Sequence, residues 1–279
     1  MIMEGPWGPI HAYGVLILLG MITAFPGIIV DARQRKLGSL FVVDFYLAIV
    51  IGGFIGGKLP LIGASGHPAN PSLDLGWSNG FVFYGSVAGA LAGLAWVSRR
   101  HAVPGVVLAS LALCWTPLCH AFGRFGCFVA GCCYGAPTDL SWGTHYGPRS
   151  FAFMDPKLHP ARSATHTLSL HPVQLYEMVG LLGLFGLLAC VRVRRGPRND
   201  ILLPSLWALG YGALRLITEM FRADPGRSFL ATKTWPNLAN ELALPPGQVV
   251  ALSASQCISL LLMAAGAYGL WRVKTPPSS

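Results

Sequence analysis

Residues 105–135 read GVVLASLALCWTPLCHAFGRFGCFVAGCCYG. The first two thirds form an apolar run close to the ~20 residues that cross a bilayer as a helix. One fixed cation, Arg124, sits near the end of that run. An ionisable side chain at membrane depth costs several kcal/mol and by default faces a partner or a functional site. The stretch therefore reads as a membrane-spanning helix whose far end carries chemistry.

The pattern repeats outward in both directions. Comparable runs lie at 11–30, 39–62, 80–98, 171–191, 201–221 and 249–271, which with 105–128 makes seven. The 279 residues are 53% hydrophobic and only 11% charged, with a mean hydropathy of +0.54. A soluble domain carries about 25% charge, so a soluble globule is excluded. Disorder needs the opposite bias, and the absence of a fixed period excludes collagen and repeat arrays. The expected fold is all-α: a single membrane-embedded domain over 1–279 with about seven transmembrane helices. The first run follows Met1–Ile10, which holds Glu4 and no basic residue, and it lacks a small-x-small exit. It reads as a retained span rather than a signal peptide.

The net charge of +9 raises nucleic acid as a partner until the positions are considered. Arg33, Arg35, Lys36, Arg99, Arg100, Arg192, Arg194, Arg195, Arg198, Arg272 and Lys274 occupy one set of connections. The alternate set holds only Arg149, Lys157, Arg162, Arg222, Arg227 and Lys233, in longer segments. Short basic loops stay in the cytoplasm, which places the N-terminus outside and the C-terminus inside. Lys58, Arg124 and Arg215 lie within spans, and no basic patch remains for nucleic acid. Two external segments follow: 132–170, rich in Pro, Gly, His and Ser, and 222–248. Loops of that length usually carry function or are disordered. With Trp142, Tyr146, Phe151 and Phe153, residues 132–170 read as a lid or headgroup-level element.

The intramembrane ionisable groups are Asp44, Lys58, Arg124, Glu177, Arg215 and Glu219. Arg215 and Glu219 stand four apart, so they share a helix face and can pair directly, with Arg222 extending that face. A charge-compensated structural pair is the competing reading. Lys58 lies near a span end, where its stem can snorkel to the surface. Gly52, Gly53, Gly56 and Gly57, with Gly85, Gly89 and Gly93 in the next span, match close small-residue helix packing. Arg124 between Gly123 and Gly126 presents a planar fork, with approachable backbone N–H groups beside it, to an anion such as a phosphodiester. That points to a lipid headgroup at the outer leaflet.

Three separated segments resemble one family, the prolipoprotein diacylglyceryl transferases. Gly123-Arg-Phe-Gly-Cys-Phe-Val-Ala-Gly-Cys-Cys-Tyr-Gly135 resembles its signature Gly-Arg-x-Gly-Asn-Phe-x-Asn-x-Glu-x-x-Gly. His171-Pro-Val-Gln-Leu-Tyr-Glu177 is similar to its His-Pro-Ser-Gln-Leu-Tyr-Glu block. Tyr211-Gly-Ala-Leu-Arg-Leu-Ile-Thr-Glu-Met-Phe-Arg222 resembles its Arg-Phe-x-x-Glu-x-x-Arg segment. Tyr13-Gly14, Gly56-Gly57-Lys58 and Phe83-Tyr84-Gly85 are weaker echoes.

The resemblance implies a transferase in the plasma (inner) membrane of a bacterium, with its site toward the outer leaflet. It would move a diacylglyceryl group from phosphatidylglycerol, or a similar anionic phospholipid, onto the lipobox cysteine of a prolipoprotein, releasing glycerol phosphate. Arg124, Arg215, Glu219, Tyr84 and His120 would be catalytic. Tyr13, Lys58, Gly123, Gly126, Cys127, His171, Gln174, Tyr176, Glu177 and Arg222 would bind substrate. No cofactor and no metal are expected. The chain departs from the pattern at Tyr84, where the family carries a histidine proposed as base, and at Cys127, Ala130 and Cys132, where it carries Asn, Asn and Glu. A tyrosine with a pKa near 10 is a poor base at neutral pH. Competing functions are transfer to a different acceptor, non-catalytic phospholipid binding or transport, and membrane thiol-redox or metal handling.

Seven cysteines include Cys114, Cys119, Cys127, Cys132 and Cys133 close together, with His120 among them. The cluster admits a disulfide near an oxidising exterior, a thiol activated beside Arg124, or a zinc site of unusual spacing. Cys190 and Cys257 stand alone in spans and read as small hydrophobes. His145, His159 and His166 have no ligand spacing, and His11 precedes Tyr13.

Overall fold

The computed structural model describes residues 2–5, 8–64, 83–160, 165–196, 200–223 and 253–274. A short antiparallel hairpin pairs β1 (Ile2–Gly5) with β2 (Gly8–His11). Apart from it, and two 3-10 turns at Ala152–Met154 and Pro156–Leu158, the regular structure of the described residues is α-helical. Its helices are α1 (Ala12–Gln34), α2 (Ser39–Ala64), α3 (Phe83–His101), α4 (Gly105–Ala130), α5 (Val173–Arg195), α6 (Leu202–Glu219) and α7 (Ala254–Lys274).

Each helix falls on one of the seven apolar runs. Five of them, α1, α2, α4, α5 and α7, are long and apolar enough to cross a membrane. The other two carry charge at an end: Arg99 and Arg100 close α3, and Arg215 and Glu219 lie in the last turns of α6. Many large apolar side chains on these helices face outward, among them Leu18, Ile22, Leu40, Leu91, Val193, Leu261 and Trp271. Outward apolar faces suit helices solvated by lipid.

The contacts divide the chain into two units, Pro26–Ala112 and Met1–Phe25 with Leu113–Ser279. In the first, α2 and α3 pack backbone to backbone through the glycines singled out in the sequence. A Cβ at Gly52 would meet the Gly89 carbonyl, one at Gly56 would meet the Gly85 and Gly89 backbones, and one at Gly93 would meet Ala48. Gly89→Val should therefore force the helices apart at a cost of about 1–3 kcal/mol, read as a lower unfolding temperature of the detergent-solubilised protein.

Asp44 in this unit accepts from Arg100 Nε and pairs with His101 Nε2, both at 2.7 Å. His101 also stands edge-on to Phe41, whose ring stacks on Phe45. Asp44 thus joins two helices as a structural ion pair. Lys58 is 2% exposed, so its ammonium is enclosed and does not snorkel to a surface.

In the second unit, Cys114, Leu184, Leu188 and Leu203 form a core flanked by Trp115, Val191, Leu206, Trp207 and Tyr211. It knits α4, α5 and α6 together. Helices α6 and α7 again touch through small residues: Gly212 meets Ser259 and Met263, and Gly266 meets Ser205 and Leu209.

The segment after α4 is folded, with its own core of Tyr134, Tyr146, Ala152, Leu158 and Leu170. Short bridges join Pro137 and Thr144 to Leu170, and Gly135 to Arg222. Gly135 is required there, because a Cβ would strike His171 and Val173. Trp142, Phe151 and Met154 remain exposed on it. The second external segment expected at 222–248 lies, beyond 223, outside the described residues.

Candidate functional site

Glu177 is on the second turn of α5 and is 1% exposed. Two arginines from neighbouring helices converge on its carboxylate. Arg124 of α4 places Nη2 2.9 Å from Oε1, and Arg215 of α6 places Nη1 3.3 Å from Oε2. Arg215 also donates from Nη2 to Glu219 Oε2 at 2.7 Å, one turn along the same helix. Arg222 Nη1 stands 3.7 Å from that Glu219 oxygen. His120, one turn before Arg124, holds Nε2 3.9 Å from Glu177 Oε1, and its ring leans on Tyr211.

Arg124 and Arg215 differ in how they are held. The Arg215 fork is engaged on three sides, by Glu177, Glu219 and the Ser255 hydroxyl of α7 at 3.3 Å. The Arg124–Glu177 contact is close but not aligned as a hydrogen bond. Arg124 Nε and Glu177 Oε1 are both buried without a hydrogen-bond partner among the described residues. Arg215 is a fixed post, whereas Arg124 keeps donor capacity for an incoming acceptor. The arginine side chains retain 10–12% exposure while both carboxylates are at 1%. The accessible side of the cluster is therefore its cationic side.

Among the described residues three arginines face these two glutamates. Taking five charges out of water costs several kcal/mol per ion, and mutual attraction repays this only with good geometry. Such a cluster is weak evidence for stability and strong evidence for a role.

Other anticipated residues lie around this cluster. Gln174 donates to the Cys132 carbonyl at 2.7 Å and to the Tyr146 hydroxyl at 3.3 Å, so it clamps the post-helix turn onto α5. The Tyr176 hydroxyl accepts from Trp142 Nε1 at 2.8 Å and lies 3.3 Å from His171 Nδ1. Both rings pack on Phe221. Burial lowers the pKa of His171. The backbone carries Arg222 into place: Ala136 donates to the Phe221 carbonyl, and Ala223 to that of Tyr134.

One expectation fails. Gly123 and Gly126 lie inside α4, where each backbone N–H bonds the carbonyl four residues back. They offer no free N–H groups to an anion, and a Cβ added at Gly123 would have Ile17 of α1 at 3.9 Å as its nearest neighbour from outside α4 among the described residues. Tyr84 and Lys58 belong to the other unit, Tyr84 on the first turn of α3, and Tyr13 is on the first turn of α1. Ser255 is absent from the residues that the sequence singles out, and Tyr211 stands there only within the third motif. An isolated serine opening an apolar helix carries no sequence signal.

None of the seven cysteines is in a disulfide. Cys127, Cys132 and Cys133 bring their sulfurs within 4.8 Å of one another. Hydrogen bonds from Cys127 and Cys132, then the charges of Arg124 and Arg222, hold the Cys133 thiol well below the usual thiol range against its burial. Contacts with the Cys127 and Cys133 thiols, then burial, push Cys132 up. His145, His159 and His166 each bond a backbone carbonyl.

The sequence model of the prolipoprotein diacylglyceryl transferase family matches residues 2–272. A phosphatidylglycerol–prolipoprotein diacylglyceryl transferase of Clostridium tetani is 31% identical over 265 residues, covering 93% of this chain and 91% of its own. One from Stenotrophomonas maltophilia is 32% identical over 258 residues, covering 85% of each. A second clostridial relative of that name, from Clostridium perfringens, is 30% identical over 264 residues, 92% of this chain and 88% of its own.

Proposed function

Because the chain belongs to the prolipoprotein diacylglyceryl transferase family, we propose that it moves the diacylglyceryl group of phosphatidylglycerol onto the lipobox cysteine of a prolipoprotein. The observation that carries this reading is that the arginines form the accessible side of the cluster, with the buried Nε of Arg124 lacking a hydrogen-bond partner among the described residues. A phosphodiester brings one negative charge, and Arg recognises it through paired N–H donors.

In this scheme Arg124 binds the phosphate and Arg215, fixed by Glu177, Glu219 and Ser255, backs it. The acceptor thiol gives its proton to His120. The thiolate attacks the glyceryl carbon, a C–S bond forms, and the C–O bond to phosphate breaks. Glycerol phosphate leaves with its new charge stabilised by the two guanidiniums, a preorganised electrostatic role. Glu177 orients Arg124 and His120 together, and Arg222 holds Glu219. His120 supplies the base that Tyr84 cannot, since a phenol is protonated at neutral pH. Gln174, His171 and Tyr176 fix the segment after α4, and Cys127 projects from the last turn of that helix.

The seven helices cross the inner membrane with the N-terminus outside and the C-terminus in the cytoplasm, which sets the site toward the outer leaflet. The distribution of Lys and Arg among the connections supports that orientation.

The test is direct. Purified protein, labelled phosphatidylglycerol and a lipobox peptide are incubated and the products read by mass spectrometry. A diacylglyceryl-thioether peptide with released glycerol phosphate is expected. Lipid bound but unchanged would refute transfer to this acceptor and favour a phospholipid-binding protein.

A further inference from the structure

Cys127, Cys132 and Cys133 bring three sulfurs together beside the cluster, and the transfer scheme uses none of those sulfurs as reacting atoms. Cys127 projects from the last turn of α4. The chain then reverses through Gly131 at φ +71° and Cys133 at φ +56°. Left-handed backbone is unusual for a residue with a Cβ. Here it returns both later sulfurs to the helix end. Cys132 N donates to the Cys127 carbonyl at 3.1 Å, and Gln174 of α5 holds the Cys132 carbonyl. The helix end, the turn and α5 together hold the three sulfurs close.

We propose that Cys127, Cys132 and Cys133 form a three-thiolate site for a thiophilic closed-shell cation, Zn(II) or Cu(I). Sulfurs at about 2.3 Å from a tetrahedral zinc lie roughly 3.8 Å apart. The observed 4.8 Å limit therefore closes by small side-chain rotations without moving backbone. A disulfide would need only two sulfurs and would strand the third. Thiolate ligands select Zn(II) and Cu(I) over Mg(II) and Ca(II). Three thiolates around Zn(II) leave one negative charge, and the charges of Arg124 and Arg222 act on this site. Among the described residues no fourth His, Cys, Asp or Glu joins the group. A bound zinc would thus keep an open position, the arrangement in which zinc takes an exogenous ligand. The spacing in sequence hides all this, because Cys-x4-Cys-Cys depends on the reversal at Gly131 to become a ligand set.

Reduced full-length protein in detergent is loaded anaerobically with Zn(II) or with Cu(I), desalted, and analysed for metal and thiol content. About one ion per chain should be retained, and elemental analysis after competition distinguishes zinc from copper. Cobalt in place of zinc should show thiolate charge-transfer and strong tetrahedral visible bands. Cys132→Ser should abolish retention, whereas Cys190→Ser, outside the group, should not change it. Should the Cys132→Ser variant misfold, alkylation mapping of the wild type decides: metal must protect the three cysteines and leave Cys190 reactive. Metal retained equally by Cys132→Ser, no protection, or two thiols lost to a disulfide in protein isolated without reductant would overturn the site. No arm reads transferase activity, so its failure leaves the proposed reaction where it was.

Discussion

Arg124→Ala should lower diacylglyceryl transfer by roughly 10²–10³-fold, the usual loss when one preorganised donor to a developing anion is removed. Arg124 is the guanidinium with an unpartnered buried Nε, next to a carboxylate it touches but does not hydrogen-bond. The ion pair with Glu177 therefore leaves part of its donor capacity unused among the described residues. Arg124→Lys keeps the charge but not the planar fork, so it should stay well below wild type. Because the substitution also removes a counter-charge from Glu177, thermal unfolding and phosphatidylglycerol binding are measured alongside the rate. A stable Arg124→Ala protein that transfers at the normal rate would remove the phosphate role outright.

Arg215→Met should destabilise the protein by about 3–5 kcal/mol, the cost of stranding a buried partner charge. Arg215 bonds both Glu177 and Glu219. Without it Glu219 loses its 2.7 Å partner, while Arg222 stands farther off at 3.7 Å, and each carboxylate is 1% exposed. Glu219→Gln in the Arg215→Met background should recover part of the loss, because the stranded charge is then gone. The coupling is obtained from a double-mutant cycle of unfolding in detergent. An Arg215→Met protein as stable as wild type would show that the pair holds nothing together.

The two predictions rest on different kinds of information. The Arg215–Glu219 contact was legible in sequence, since four residues along a helix make one face and an intramembrane charge seeks a partner. The helices were legible for the same reason: a bilayer needs long apolar runs, and each of the seven runs holds a helix among the described residues, five of them long and apolar enough to cross a membrane. The glycine seam between α2 and α3 followed from spacing alone, because glycines recurring every four residues line one face. Likeness to a known family pointed to Arg124 and Glu177 separately.

Pairing Arg124 with Glu177 joins residues 53 positions apart, on different helices, and no local periodicity encodes it. The same holds for Ser255 behind Arg215, for the backbone bridge that seats Arg222 beside Gly135, and for three cysteines gathered by one left-handed turn. Gly123 and Gly126 illustrate the converse. Their composition suggested exposed backbone donors, but helix continuity through Ala130 consumes those N–H groups. Sequence alone determined which segments are helical and which faces carry charge, because both follow from hydropathy and the 3.6-residue turn. Tertiary structure alone decided which charges meet, because that depends on how α4, α5 and α6 pack, a matter of long-range contacts.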